Sequence, residues 1–253
     1  LRVSAIIEAR MGSKRLPGKV MMKVGNIPLV AWVLQRCYLS NLIDTLVVAC
    51  PDTPLDRALS EWVRGNTPAK VVTGSENNVM GRVLKAARKT NTDIIVEITG
   101  DCPLVDPEII DTCVGYYICG DWDFVGNVRP ETWPQGMSVR VFSTDTLAKV
   151  NEEVKGDSRE AYWREHVSPW MYERTDTPYK CLNLTAPDDC TVPQLNLSVD
   201  TRDDLKRVRG VIEALATANP GFNVKEVLQY LLALPGYEQL ADPVIWKESS
   251  LWP

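Results

Sequence analysis

This chain of 253 residues has one histidine, His166, so it has no set of imidazoles from which to build a multi-histidine zinc centre. Its seven cysteines include no CxxC pair, which removes the usual zinc-ribbon and dithiol redox sites. The odd count reads as reduced thiols in a cytoplasmic protein. No GxSxG segment is present, so a serine-hydrolase elbow has no support. No apolar run approaches the length of a membrane span, and there is neither an internal repeat nor a low-complexity linker. Leu1-Arg2-Val3-Ser4-Ala5-Ile6-Ile7 is too short an apolar run, broken soon after by Arg10, to read as a secretory signal. The sequence does not begin with Met, which leaves room for further residues or a longer protein. Positive charge is also scarce: 28 Lys and Arg stand against 33 Asp and Glu, for a net charge of -5. A broad nucleic-acid surface is therefore not expected, whereas a small phosphorylated ligand needs only a local cluster of cations.

What is present is the composition of an ordinary globular protein, 45% hydrophobic and 24% charged. The length suits one large α/β domain over residues 1–253, with 221–253 a C-terminal helix and tail. Short apolar runs at Val3 to Ile7, Thr45 to Ala49, Lys70 to Val72 and Ile94 to Ile98 read as strands. Helical patterns at Leu29 to Leu39, Pro54 to Val63, Val79 to Arg88 and Pro107 to Ile118 separate or follow them. This alternation predicts a mostly parallel sheet with helices on both faces. The second half reads as more mixed. Strands are expected near Asp123 to Val125, Ser138 to Phe142, Tyr179 to Leu184 and Leu195 to Val199, and helices over Thr144 to Val154, Glu160 to Tyr172 and Thr201 to Ala216. A last helix starts near Val224 with Asn223 as its cap, and the tail with Trp246 and Trp252 is a candidate contact surface.

Three segments can carry chemistry. Directly after the first strand, Glu8 to Lys19 offers backbone N–H groups at Gly12 and Ser13 and cations at Arg10, Lys14, Arg15 and Lys19. It is neither a Walker loop nor a GxGxxG fingerprint, but α/β sheets place ligand loops at strand carboxyl ends, and a triphosphate needs such donors and cations. At the end of the fourth strand, Thr99-Gly100-Asp101-Cys102-Pro103 offers Asp101 as an oxygen ligand for Mg²⁺, although a turn aspartate would look the same. Asp106 before Pro107 reads as a helix cap. Val199-Asp200-Thr201 places a second aspartate before a helix, where it could share the metal or merely cap. His166 reads first as a structural hydrogen-bonding residue.

Taken together, Ala9-Arg10-Met11-Gly12-Ser13, Arg15-Leu16-Pro17-Gly18-Lys19, Gly74-Ser75-Glu76, Thr99-Gly100-Asp101-Cys102-Pro103-Leu104, Arg164-Glu165-His166-Val167 and Val199-Asp200-Thr201 resemble the acylneuraminate cytidylyltransferase family. Within it they are similar to the branch of spore-coat polysaccharide cytidylyltransferase-like proteins. The resemblance implies a GT-A-like nucleotidyltransferase fold, usually a homodimer, that moves CMP from CTP to a small anionic acceptor, an acidic sugar of nonulosonic or octulosonic type, and releases pyrophosphate. It implies that Asp101 and Asp200 hold Mg²⁺ and that Arg10, Arg15 and Lys19 neutralise the leaving group. By the same carry-over, Ala9 to Ser13, Arg15, Lys19, Ser75, Asn77, Asn78, Val79, Arg82, Gly100 and Asp101 hold the nucleotide. Asn127, Gly136, Arg140, Arg164, Glu165 and His166 face the acceptor. Asn78 and Gly81, and likewise Ser138 and Arg140, stand where relatives often carry acids. Arg140 in place of an acid favours a strongly anionic acceptor, so a phosphonate or phosphorylated acceptor is an alternative. A sugar-1-phosphate nucleotidyltransferase and a non-catalytic nucleotide-binding domain are the others.

Overall fold

Six residues of the first strand, Val3–Glu8 (β1), alternate between two hydrophobic layers. Val3, Ala5 and Ile7 enter one core and Ile6 enters the other. Such alternation requires both faces of the sheet to be covered. In the computed structural model, which describes residues 1–237, they are. The remaining strands are Lys23–Val24 (β2), Ile27–Pro28 (β3), Thr45–Pro51 (β4), Lys70–Gly74 (β5), Ile94–Thr99 (β6), Phe124–Gly126 (β7), Arg140–Ser143 (β8) and Cys181–Asn183 (β9). Seven form one sheet in the order β5-β4-β1-β6-β8-β7-β9. β1 is parallel to β4 and β6, and β4 to β5, whereas β8 runs antiparallel to β6 and β7. The result is the mixed, mostly parallel α/β architecture expected.

Helices Leu29–Tyr38 (α1), Arg57–Asn66 (α2), Pro107–Cys119 (α4), Arg202–Leu215 (α8) and Val224–Leu232 (α9) contribute to one core. Helices Val79–Thr90 (α3), Thr144–Glu153 (α5), Glu160–His166 (α6) and Pro169–Tyr172 (α7) build the other. Helix ends follow their chemistry. Asp106 caps α4 by accepting from Glu108 N at 2.8 Å, while its other oxygen accepts from Val224 N at 2.7 Å and so ties in α9. Thr201, not Asp200, caps α8 through a capping box with Asp204, which frees the Asp200 side chain. Asn223 caps α9 as expected.

Four expectations are corrected. Pro54 lies in the turn before α2, which begins at Arg57. The single helix expected over 160–172 is broken at Val167, whose φ of 65° ends α6 before Pro169 opens α7. The strand expected over Ser138 to Phe142 starts only at Arg140, because Met137 and Val139 are held by Asn127. Leu195 to Val199 forms no named strand. Its backbone is satisfied instead by Gln135 and Asp101, through Gln135 N to Leu195 O at 2.9 Å and Val199 N to Asp101 O at 2.8 Å. The tail tryptophans Trp246 and Trp252 lie outside the described residues.

Candidate active site

The carboxyl ends of β1 and β6 approach so closely that Gly100 N donates to Glu8 O at 2.8 Å. A Cβ at Gly100 would stand 2.8 Å from that oxygen, so only glycine fits there. Above this junction lies a cavity of about 390 Å³. The loop after β1 walls one side. It is pinned by Leu16 and Val20, which are buried in the core, and by a turn at Gly18 with φ 73° that leads into a 3-10 helix over Lys19–Met21. Met11 N donates to Asp56 Oδ1 at 2.7 Å, and Met11 O accepts from Gly18 N at 2.9 Å. Asp56 thus fixes the loop, a role the sequence reading did not assign.

The anchored loop delivers Lys19 between the two aspartates. Lys19 Nζ lies 2.7 Å from Asp101 Oδ2 and 2.9 Å from Asp200 Oδ1, and Arg15 reaches Asp200 Oδ2 at 2.8 Å. Asp101 sits just past β6, whereas Asp200 is brought in by the segment after Leu195. That segment can approach because Gly136, with φ 96°, has no side chain: a Cβ there would stand 2.7 Å from Leu197 C and Ser198 N. Burial opposes ionisation of Asp101, but the adjacent Lys19 ammonium outweighs it and lowers the carboxyl below its ordinary 3.8. Burial also opposes the charge on Lys19, yet Asp101 and Asp200 raise it above its ordinary 10.5. Two carboxylates that converge on one cation are a donor set that fits a hard divalent ion, which takes one or two protein carboxylates and completes its shell with phosphate and water oxygens. No group of three or more His, Cys, Asp or Glu suited to a metal occurs among the described residues.

Most of the residues expected in the site do meet. Ala9, Arg10, Ser13, Arg15 and Lys19 line the cavity from the loop, and Gly100, Asp101 and Asp200 line its far side. Val79 and Arg82 of α3 and Glu165 and His166 of α6 close it. Arg10 reaches Glu165 at 3.5 Å, which links the loop to α6. His166 packs on the Tyr162 ring at 4.5 Å between centroids. Met11 and Gly12, in the same loop, do not line the cavity. Ser75 and Asn78 organise the start of α3, with Ser75 Oγ accepting from Asn78 N at 3.1 Å and Asn78 Oδ1 from Gly81 N at 2.8 Å. Asn77 is exposed in the same turn.

Four of the expected acceptor residues are not cavity residues. Gly136 acts through the backbone packing described above. Asn127 is buried, with its amide spent on Met137 O at 2.9 Å and Val139 N at 2.8 Å. Arg164 turns outward to Glu160 at 2.6 Å and Asn151 at 3.0 Å. Arg140 does not line the cavity and has Nη1 3.6 Å from Glu97 Oε1. Although burial opposes its charge, Glu97 and Tyr172 hold Arg140 above its ordinary range. Glu8 was missed as a candidate. The one signal for it was a carboxylate ending an otherwise apolar central strand.

Comparison with known proteins gives the family and the fold. A family model described as "Cytidylyltransferase" matches residues 4–204. The chain is 29% identical over 233 residues to the spore coat polysaccharide biosynthesis protein SpsF of Bacillus subtilis (strain 168), a match that covers 89% of this chain and 92% of that protein. It is 31% identical over 158 residues to 3-deoxy-manno-octulosonate cytidylyltransferase of Anaeromyxobacter sp. (strain K), covering 62% of this chain and 61% of that protein. Among solved structures, a cytidylyltransferase from Leptospira borgpetersenii serovar Hardjo-bovis (strain JB197) superposes with a TM-score of 0.82 at 27% identity, over the whole of both chains.

Proposed function

The chain belongs to the cytidylyltransferase family, and from that premise we propose that it transfers CMP from CTP to an acidic sugar of nonulosonic or octulosonic type, releasing pyrophosphate. The observation that carries this reading is the convergence of Asp101 and Asp200 on Lys19 beside a loop bearing Arg10 and Arg15. A relative named for 3-deoxy-manno-octulosonate supports the acidic-sugar class.

In this reading the backbone and cations of the 9–19 loop hold the triphosphate, and Val79 and Arg82 flank the nucleoside. An acceptor oxygen displaces pyrophosphate at the α-phosphorus. Arg10, Arg15 and Lys19 offset the charge that builds on the leaving group, and their fixed placement lowers the cost of reorganisation during the reaction. Lys19, paired with two carboxylates, gains in the triphosphate a second set of anionic partners. Asp101 and Asp200 would hold Mg²⁺, which when bound neutralises charge on the reacting phosphate. Glu165 and His166 approach the acceptor from α6. The chain works as a homodimer, as the resemblance implies.

The phosphonate and phosphorylated alternatives drew on Arg140 in place of an acid; Arg140 does not line the cavity and has Nη1 3.6 Å from Glu97 Oε1, which favours the acidic-sugar reading. The test is pyrophosphate release from each of the four NTPs with Mg²⁺, against acidic sugars, sugar 1-phosphates and short phosphonates. Release with CTP and an acidic sugar is expected. Release only with a sugar 1-phosphate or a phosphonate would replace the acceptor class, and silence with every pair would return the chain to a nucleotide-binding role.

A further inference from the structure

Glu8 closes β1 at the wall of the cavity. Its carboxyl makes no side-chain hydrogen bond among the described residues, and Oε1 is shielded from solvent without a partner. A buried acceptor left unpaired costs free energy that a suitable donor recovers. Its neighbours do not provide that donor. Arg82, which shares the wall, is committed through Nε to Ala49 O at 3.2 Å and through Nη1 to Ser75 O at 2.5 Å. Arg140 holds Nη1 3.6 Å from Glu97 Oε1, and its buried Nε, like Glu8 Oε1, has no hydrogen-bond partner among the described residues.

Charge decides what could supply the donor. Four cations of the cavity, Arg10, Lys14, Arg15 and Lys19, stand on the loop beyond Ala9, whereas Val79 and Arg82 line it from α3, and Arg82 already has Nε and Nη1 on backbone carbonyls. The triphosphate and an acid acceptor are both anionic, and both are drawn to the loop. The nucleoside is the uncharged end of CTP. It has a flat apolar face for Val79 and an amino group in its plane. Small-molecule sites combine apolar surface with a few convergent polar groups, and Val79 and Glu8 supply one of each here.

We infer that Glu8 is a specificity-determining residue for the nucleotide, its carboxyl oxygen accepting a hydrogen bond from the exocyclic 4-amino group of the cytosine of CTP. This rests on the reading of the cavity as the CTP site and names the group that reads the base. Burial and then the Glu97 carboxylate push Glu8 well above its ordinary 4.5, with Arg82 and Arg140 offsetting part of the rise and Asp101 adding a little to it. Burial and the neighbouring carboxylate thus disfavour the ionised form of Glu8.

The test is equilibrium titration with CTP, with the triphosphate of 2-pyrimidinone riboside, which lacks only the 4-amino group, and with inorganic triphosphate. Wild type is expected to bind CTP about ten-fold more tightly than the desamino analogue. Glu8→Leu and the unbranched Glu8→Met should lose about ten-fold in CTP affinity and no longer distinguish the two nucleotides, with triphosphate binding unmoved. Glu8→Gln, which keeps an acceptor oxygen, should retain the preference. Equal weakening of both nucleotides in the Leu and Met variants would mark a merely structural residue and overturn the inference, as would unchanged CTP affinity. Should both variants fail to fold, a wild-type protein that does not distinguish the nucleotides overturns it unaided, and one that does, with Glu8→Gln following it, upholds it. Wild type that binds triphosphate but neither nucleotide would overturn the reading of the cavity and the inference with it.

Discussion

The two charged clusters around the cavity are built in opposite ways. Lys19, Asp101, Asp200 and Arg15 stand outside the strands, in contacts of 2.7 to 2.9 Å. Glu8, Glu97 and Arg140 stand within strands. Glu97 and Arg140 are register partners across β6 and β8, their ion pair is looser at 3.6 Å, and Glu97 is 2% exposed. Loop charges can trade one partner for another when a ligand arrives. Strand charges are set by the sheet register and cannot, so their worth lies in shape and in a fixed local field. The first cluster thus suits the reacting phosphates, and the second suits the floor beneath them.

The sharpest break of this contrast is Asp101→Asn. It removes a charge from the exchangeable cluster while Asp200 still holds Lys19, so turnover should fall by about a thousand-fold with the far-UV circular dichroism and melting temperature little changed. Near-normal pyrophosphate release in that variant would remove Asp101 from the chemistry. The converse substitution, Glu97→Ala, removes a buried carboxylate and strips a partner from half-buried Arg140, and should cost about 3 kcal/mol of stability in urea unfolding. An unmoved urea midpoint would show that Glu8 alone compensates Arg140 and that the floor is less fixed than its register suggests.

The same contrast explains what the sequence made legible. The strand-helix alternation of the first hundred residues, with both strand faces apolar, announced a parallel sheet, and the loop after β1 and the carboxylate after β6 followed from where such sheets place ligands. Residues 120–200 were harder because local pattern does not set their backbone partners. The segment of Leu195 to Val199 looks like a strand and pairs like one only in part, with Gln135 and Asp101. The resemblance points to Asn127 and Arg164 as acceptor contacts, whereas in the structure each directs polar atoms to partners within the protein. Glu8 was hidden for the opposite reason. Its importance lies in having no partner, and sequence does not report that.

The smallest expected effect tests whether the floor stores a proton. Glu8 and Glu97 are both raised above the ordinary glutamate value of 4.5, chiefly by burial, and each raised carboxyl binds more protons folded than unfolded between that value and its own folded one. Stability then falls as pH rises through this window, by at most about 1.4 kcal/mol per pH unit for each proton released. Asp101, lowered by Lys19, has the opposite sign: its contribution is present above 3.8 and is lost as pH falls below it. Urea unfolding of wild type from pH 4.5 upward should therefore show a declining midpoint, and Glu8→Gln, which cannot ionise, should show a flatter one. The residual slope in that variant belongs to Glu97 and to Glu131, which burial also raises. Parallel slopes in the two proteins would place the proton elsewhere and leave the floor as an ordinary compensated ion cluster, like the one on the loops above it.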